Sequence, residues 1–118
     1  IGSGPLLVMD GTVQAVNNTS DHNTTSHPRT AIGLTRDGRV LFVTVDGRFP
    51  GLAVGMSSEL LAKYMKILGA YSALNLDGGG STTMWIKDKG VVNHTSQGGT
   101  GSWDNPKERS VGSIIYVK

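Results

Sequence analysis

Ala73-Leu-Asn-Leu-Asp77-Gly-Gly-Gly80-Ser-Thr-Thr-Met84 is the stretch on which the fold of this chain turns. Leu74 and Leu76 alternate with Asn75, the period-two pattern of a strand. Asp77 ends the apolar run, and Gly78, Gly79 and Gly80 follow at once. Glycines admit positive φ and let a ligand approach the backbone. Their successive N–H groups can form a concave nest for an anion. Ser81 and Thr82 add hydroxyls just beyond. A hairpin turn capped by Asp77 would account for part of this pattern, but a plain turn does not need three consecutive glycines. No Gly-Lys-Ser/Thr follows, so the stretch is not a Walker loop. It reads as a short strand opening into a site.

Immediately upstream, residues 58–68 read as a helix. Ser57 or Ser58 can cap it; Leu60, Leu61, Tyr64, Met65 and Leu68 form one apolar stripe. Glu59 stands four residues before Lys63, the favourable order for a helical ion pair, and Gly69 is a natural stop. Further upstream, Val40–Val45 is almost wholly apolar and reads as a buried central strand. It ends on Asp46-Gly47-Arg48, repeating the strand-then-Asp-Gly logic of the first stretch. Strand, helix and strand in this order predict a βαβ unit with parallel neighbouring strands and a right-handed crossover. Asp46 and Asp77 should then emerge at one edge of the sheet, where ligand clefts form.

The remaining segments are hairpins and loops. Residues 5–9 and 12–16 flank Asp10-Gly11, a two-residue hairpin signal. Residues 17–28 form a long polar loop, of a length that is often functional. Residues 31–35 read as a strand leading into a turn at 36–39. A second hairpin spans 82–92 around Lys87-Asp88-Lys89-Gly90. Residues 93–107 are a second long loop, and 111–117 read as a final strand. The fold class is therefore α/β (α+β): a mixed twisted sheet with one principal amphipathic helix in a βαβ unit and several β-hairpins.

At 118 residues the chain is one domain or part of one, long enough to bury a single core. Its 37% apolar content argues against disorder. The net charge of +2, interspersed along the chain, is too small to imply nucleic acid. The absence of cysteine excludes a disulfide framework and thiol chemistry. No apolar run approaches the ~20 residues of a membrane helix, and no signal peptide is visible. The chain opens on Ile1 without a methionine, which predicts that upstream sequence has been removed. His22, His27 and His94 lie in polar loops and read as solvated surface residues. A metal held by Asp46, Asp77 and a histidine can be drawn, but no ligand spacing supports it.

Four segments occur in a telling order and spacing: Pro28-Arg29-Thr30-Ala31-Ile32-Gly33, Val45-Asp46-Gly47-Arg48, Asn75-Leu76-Asp77-Gly78-Gly79-Gly80-Ser81-Thr82 and Glu108-Arg109-Ser110-Val111. Together they resemble the phosphodiester glycosidase family, and the resemblance runs from Gly2 onward. It implies hydrolysis of a sugar-1-phosphodiester (N-acetylglucosamine-1-phosphodiesters for the animal member), releasing the sugar and leaving a phosphomonoester. It implies Asp77 and Asp46 as catalytic residues. Arg29, Gly78, Gly79, Gly80 and Ser81 lie on its motif positions and are the expected substrate-binding residues, with Thr30, Arg48, Asn93 and Arg109 as further candidates. The partner it implies is a small or polymeric sugar phosphodiester; no cofactor is expected, and charge and hydropathy give no reason to expect nucleic acid or membrane insertion. A bacterial, extracytoplasmic or cell-envelope location goes with it.

There are two departures. Family domains usually carry more sequence upstream, including an Asn-containing segment ahead of an aromatic that contributes to the cleft. That missing upstream segment of the same domain is an expected partner. The animal enzyme contains cysteines, and this chain has none.

The chemistry behind the resemblance is direct. Arginine suits phosphate because its planar fork is bidentate and always charged, and Arg29 sits at a loop-to-strand junction, where function concentrates. Glycoside cleavage commonly uses two carboxylates. A phosphate ester anion departs with less need of protonation, so one carboxylate plus electrostatic stabilisation of the phosphate can be enough. The alternative is a non-catalytic glycan- or phosphate-binding module of the cell envelope.

Overall fold

The computed structural model describes residues 3–14, 21–96, 102–104, 106, 108–111 and 113–117. Strands β1 (Ser3–Met9) and β2 (Thr12–Val13) make the opening hairpin, with Met9 paired to Thr12. Asp10 and Gly11 have φ of 50° and 77°; positive φ at both central residues is what a type I′ loop demands, and it is why Asp-Gly stands there. A short helix, α1 (Asp21–Thr24), interrupts the polar loop expected at 17–28; residues 17–20 of that loop, and residues 15–16 of the strand expected at 12–16, lie outside the described residues.

Strands β3 (Arg29–Thr35), β4 (Val40–Val45) and β5 (Ala70–Leu76) complete a five-stranded sheet of order β2-β1-β5-β3-β4. Every adjacent pair is antiparallel. β4 and β5 are therefore not neighbours. They run in the same direction because each is antiparallel to β3, which lies between them: the βαβ unit is split. The reason is local. The turn after β3 closes through Thr35 N–H donating to the Arg39 carbonyl at 2.8 Å, which zips β3 to β4 as a hairpin and leaves only the other edge of β3 for β5. The functional consequence survives the correction. The C-terminal ends of β4 and β5 and the start of β3 still share one end of the sheet, with Arg29 opposite Val45 and Ala31 opposite Asn75.

β4 is an edge strand among the described residues, not the central strand expected from its composition. Leu41, Val43 and Val45 pack against the core, while Val40 and Phe42 are 49% and 39% exposed on the opposite face. An apolar run alone does not distinguish the two positions.

Helix α2 (Ser58–Ile67) covers the other face. Ser57 caps it, its hydroxyl accepting from Leu60 N–H at 3.2 Å. The Lys63–Glu59 pair forms at 3.6 Å, and Gly69 ends the helix with φ of 102°. The buried stripe is Leu61, Ala62 and Met65, packed against Leu7, Val8, Ala31, Ala70 and Ala73. Leu60, Tyr64 and Leu68, expected on the same stripe, are about half exposed, because the small residues Ala31, Gly33 and Ala73 draw the helix onto its Leu61–Met65 side. A Cβ on Gly33 would lie 2.9 Å from the Met65 methyl. Full burial of a side chain such as Met65 is worth about 1.5–3 kcal/mol.

A second small sheet, β6 (Trp85–Ile86) with β7 (Gly90–Val91), forms the hairpin expected around 87–90. The strand expected at 111–117 is not one: its described residues adopt no regular structure, and Ile114, Tyr116 and Val117 are about 70% exposed or more. β-propensity alone does not make a strand, and these residues pair with no sheet edge among the described residues.

Candidate functional site

Two strand ends and the start of a third build the site. At the end of β5 the glycines act by close approach. A Cβ on Gly78 would stand 2.6 Å from the Pro28 carbonyl oxygen, and Gly79, with φ of +60°, donates its N–H to that same oxygen at 2.9 Å. The chain then closes a 3₁₀ turn, Gly79–Ser81, with Ser81 N–H donating to Gly78 O at 3.1 Å and Thr82 N–H to Gly79 O at 3.2 Å. The continuous anion nest expected here is thus reduced. Three of its N–H groups are committed to carbonyls, and those of Gly78 and Gly80 are without such a partner among the described residues.

At the end of β4 the chain does something different. Asp46 Oδ1 accepts the His94 backbone N–H at 3.1 Å, which ties the 93–103 loop to the sheet. His94 in turn stacks on Trp103 at 3.6 Å and places Nδ1 2.9 Å from the Trp103 carbonyl, and Phe49 meets Trp103 edge-on at 5.5 Å. Asp46 therefore carries an aromatic buttress. Arg48, two residues on, adopts φ of 62°, a left-handed conformation unusual for a non-glycine residue and frequent at functional sites. That bend swings its guanidinium over the glycine turn: a Cβ on Gly79 would lie 3.1 Å from the nearer Arg48 Nη.

The start of β3 supplies the floor. Arg29 is fully buried. Its Nε donates to Met56 O and one Nη to Thr25 O, both at 2.9 Å. Burial, and secondarily the Arg48 charge, pull its pKa below the usual arginine value. The structure thus places this guanidinium under the site as a clamp on two loops, not on a cavity wall. Thr30 Oγ1 bonds Thr82 Oγ1 at 3.3 Å. Asn93 also holds backbone in place: its Oδ1 accepts from Met84 N–H at 2.7 Å and its Nδ2 donates to Thr82 O at 2.8 Å. Ser81 Oγ accepts from an Arg109 Nη.

These elements border an open cavity of about 390 Å³ lined by His27, Arg48, Asp77, Gly78, Gly79, Gly80 and Arg109. Six positions singled out in the sequence meet there. Asp46, Arg29, Thr30, Ser81 and Asn93 support the walls instead of forming them. Among the described residues Asp77 is the one carboxylate on the wall, beside a space it shares with two guanidinium groups and an imidazole. Such a set can hold an anion and present a single carboxylate beside it. His27, read from sequence as a solvated surface residue, is a wall residue; His94 is packed on an aromatic ring; the His22 side chain lies outside the described residues. The signal for His27 is its place just before Pro28-Arg29, the segment that the glycine turn grips. Among the described residues no group of three His, Asp or Glu side chains is arranged to hold a metal ion.

Comparison with known proteins places this geometry. The family model for phosphodiester glycosidases matches residues 1–118. The chain belongs to the phosphodiester glycosidase family. Among solved structures, this family member is similar to the catalytic domain of zebrafish N-acetylglucosamine-1-phosphodiester α-N-acetylglucosaminidase, a domain auto-inhibited there by its pro-peptide. That match has a TM-score of 0.67 and 25% identity over 87% of this chain and 37% of the zebrafish chain. It is also similar to a Burkholderia pseudomallei K96243 protein with "exported" in its name, with a TM-score of 0.57 and 49% identity over 60% of this chain and 13% of the other. In sequence it is 40% identical over 76 residues to the SPbeta prophage-derived uncharacterized protein YomE of Bacillus subtilis (strain 168), covering 61% of this chain and 11% of that protein. The chain thus spans from about a tenth to somewhat over a third of the length of these relatives. No helix of the described structure is long and apolar enough to cross a membrane.

Proposed function

We propose that this phosphodiester glycosidase domain hydrolyses the bond between a sugar's anomeric carbon and the phosphate of a glycosyl-1-phosphodiester, outside the cytoplasm, on a small or polymeric substrate. The observation that carries the reading is the convergence of Arg48, Arg109 and Asp77 on one cavity above the Gly78–Gly80 turn. Arg48 and Arg109 take the phosphate, whose two free oxygens match guanidinium forks. The bare glycine backbone lets the phosphate sit low against the turn. Asp77 then faces the anomeric carbon, where positive charge develops as the bond to phosphate lengthens. The departing phosphomonoester needs little protonation, because the arginines hold its charge.

The phosphate-binding role expected of Arg29 thereby passes to Arg48 and Arg109, and the catalytic weight expected of the Asp46–Asp77 pair falls on Asp77. The test is incubation of the purified full-length protein with an N-acetylglucosamine-1-phosphodiester, with both products quantified. Equal release of free sugar and phosphomonoester supports the reading. Retained binding of the phosphodiester with no release of either product would make the domain a phosphate- or glycan-binding module instead.

A further inference from the structure

The β6–β7 hairpin contributes no residue to the cavity wall, yet it follows the glycine turn directly. Trp85 lies four residues beyond Ser81, so their Cα atoms are at most ~14 Å apart. Two residues a side is too little sheet to stand alone. The hairpin is held at its base instead. Asn93 Oδ1 accepts from Met84 N–H at 2.7 Å and Asn93 Nδ2 donates to Thr82 O at 2.8 Å. Val92 N–H donates to Met84 O at 2.8 Å. Asn93, expected from the sequence to bind substrate, therefore fixes the hairpin against the turn that follows Asp77.

What this clamp holds out is an indole. Trp85 is 65% exposed, and no ring contact among the described residues involves it. Lys89 N–H closes the tip on Ile86 O at 3.0 Å. The tip residues Lys87, Asp88 and Lys89 are all exposed, and two lysines against one aspartate leave the tip net positive. An indole face packs on the C–H edge of a sugar ring, whose partial positive charge suits the π face. An ammonium suits a phosphate. Following the chain from the cavity to the tip, cations at Arg48 and Arg109 give way to an aromatic face at Trp85, and then to cations again at Lys87 and Lys89. That alternation matches a sugar–phosphate polymer, in which anion and ring take turns. A membrane fits worse. Asp88 sits at the tip, where an anionic lipid surface would repel it. Within 85–91 only Ile86 adds a further large exposed apolar side chain.

We infer that the hairpin is a subsite for the next units of a polymeric sugar-1-phosphate chain, so that the domain acts on a polyanionic glycan in preference to a small diester. The inference rests on the hydrolase reading above. Trp85 stacks on a sugar beyond the bond to be cleaved, and Lys87 and Lys89 take the phosphate next to it.

The experiment compares two probes on the purified full-length protein. One is the methyl diester of N-acetylglucosamine-1-phosphate; the other is an oligomer of four N-acetylglucosamine-1-phosphate units joined by phosphodiesters. The oligomer's KM should lie about tenfold or more below that of the methyl diester, and the gap should narrow as salt is raised. Trp85→Ala should raise the oligomer's KM about tenfold, and the double change Lys87→Gln with Lys89→Gln about threefold. Both variants should keep kcat and KM on the methyl diester within about twofold. Calorimetry with the oligomer reads the same contact without turnover: adding Trp85→Ala to Asp77→Asn should weaken binding about tenfold. Equal wild-type KM for the two probes, unchanged oligomer affinity in Trp85→Ala, or an equal loss on both probes would each overturn the inference. So would binding to phosphatidylglycerol vesicles that Trp85→Ala abolishes while oligomer affinity stays the same, which would assign the hairpin to a lipid surface. Absence of sugar release from either probe would instead sink the hydrolase reading, and the calorimetric pair would still decide the subsite.

Discussion

The ends of β4 and β5 read alike in the sequence, and the folded chain uses them in opposite ways. Both strands finish on Asp-Gly and both point to the same end of the sheet. At β5 the aspartate lines the cavity, and the first two of the three glycines after it pack on the Pro28 carbonyl. At β4 the aspartate reaches back to the His94 backbone, and the residue that enters the cavity is Arg48. The difference comes from the residues just past each aspartate. Three glycines let β5 turn tightly without side chains, so Asp77 remains on the rim. A single Gly47, wedged where a Cβ would lie 2.8 Å from Pro28 N, forces the bend one residue later, and Arg48 absorbs it with positive φ. One strand end supplies a carboxylate to the cavity, and the other supplies a cation; in the proposed reaction these are the reacting carboxylate and the holder of the leaving group.

The largest test of that contrast compares two amide substitutions. Asp77→Asn should fold with near-wild-type thermal stability and lose turnover by about 10²–10⁴-fold, the span removed with a proton-handling or charge-stabilising group. Asp46→Asn should cost far less, about tenfold or under, since an asparagine oxygen still accepts the His94 N–H. The two kcat values measured side by side decide it; equal losses would restore the two-carboxylate site.

Next in size is the contrast between the arginines. Arg48→Ala should weaken phosphodiester binding by about 10–100-fold, the equivalent of the ~1.5–3 kcal/mol carried by charge-assisted hydrogen bonds, with little change in melting temperature. Arg29→Met should do the reverse. It leaves the Met56 and Thr25 carbonyls without those partners, at a cost of about 1–3 kcal/mol each, and lowers the melting temperature by several degrees. Calorimetric binding together with thermal melts on both variants checks the exchange of roles. A stable Arg29→Met with ruined affinity would return Arg29 to the phosphate site.

Much of this contrast is legible in the sequence. Asp10-Gly11 announces its hairpin, Ser57 and Gly69 bracket the helix, and Asp77 with its three glycines marks the site, because each signal is local chemistry. The illegible part is non-local. Nothing in Val40–Val45 says whether one strand or two will pair with it, so its edge position and the insertion of β3 beside β5 cannot be read from its composition. Arg29 looks like a surface donor because arginine seldom lies fully buried; its carbonyl partners come from residues four before it and twenty-seven after. His27 is held at the cavity by the bridge to Met56, a contact that no spacing rule predicts.

A smaller effect is expected at the glycine turn. Gly78→Ala puts a methyl group 2.6 Å from the Pro28 oxygen, so the backbone must shift, at about 1–3 kcal/mol. Because Gly79 is anchored to that same oxygen, turnover should drop further than stability alone explains. Gly38→Ala, at a positive-φ position in the β3–β4 turn with open space around it, is the matched comparison. It should lose stability and keep kcat. If both variants lose kcat equally, the glycine turn has no special claim on the chemistry.

The smallest effect belongs to the opposite end of the sheet, where the β3–β4 turn carries an aspartate of a third kind. The Asp37 carboxylate accepts from the Thr35 hydroxyl and from Arg39 Nε, with the Arg39 contact at 3.1–3.3 Å. The Thr35 hydrogen bond first, then Arg39, hold its pKa below the ordinary aspartate value. A depressed carboxylate pKa means that the folded state binds the proton less readily than the unfolded chain does. The stabilisation is therefore present above the unfolded value of ~3.9 and is lost as pH falls through the lower folded value. The pair is solvent-exposed, so screening leaves little of it. Asp37→Asn should accordingly leave kcat unchanged, lower the melting temperature slightly at neutral pH, and melt like the wild type once both proteins are acidified below that window. A turnover defect in this variant would mean that the two ends of the sheet communicate, and that the division between a structural turn and a reactive rim is drawn in the wrong place.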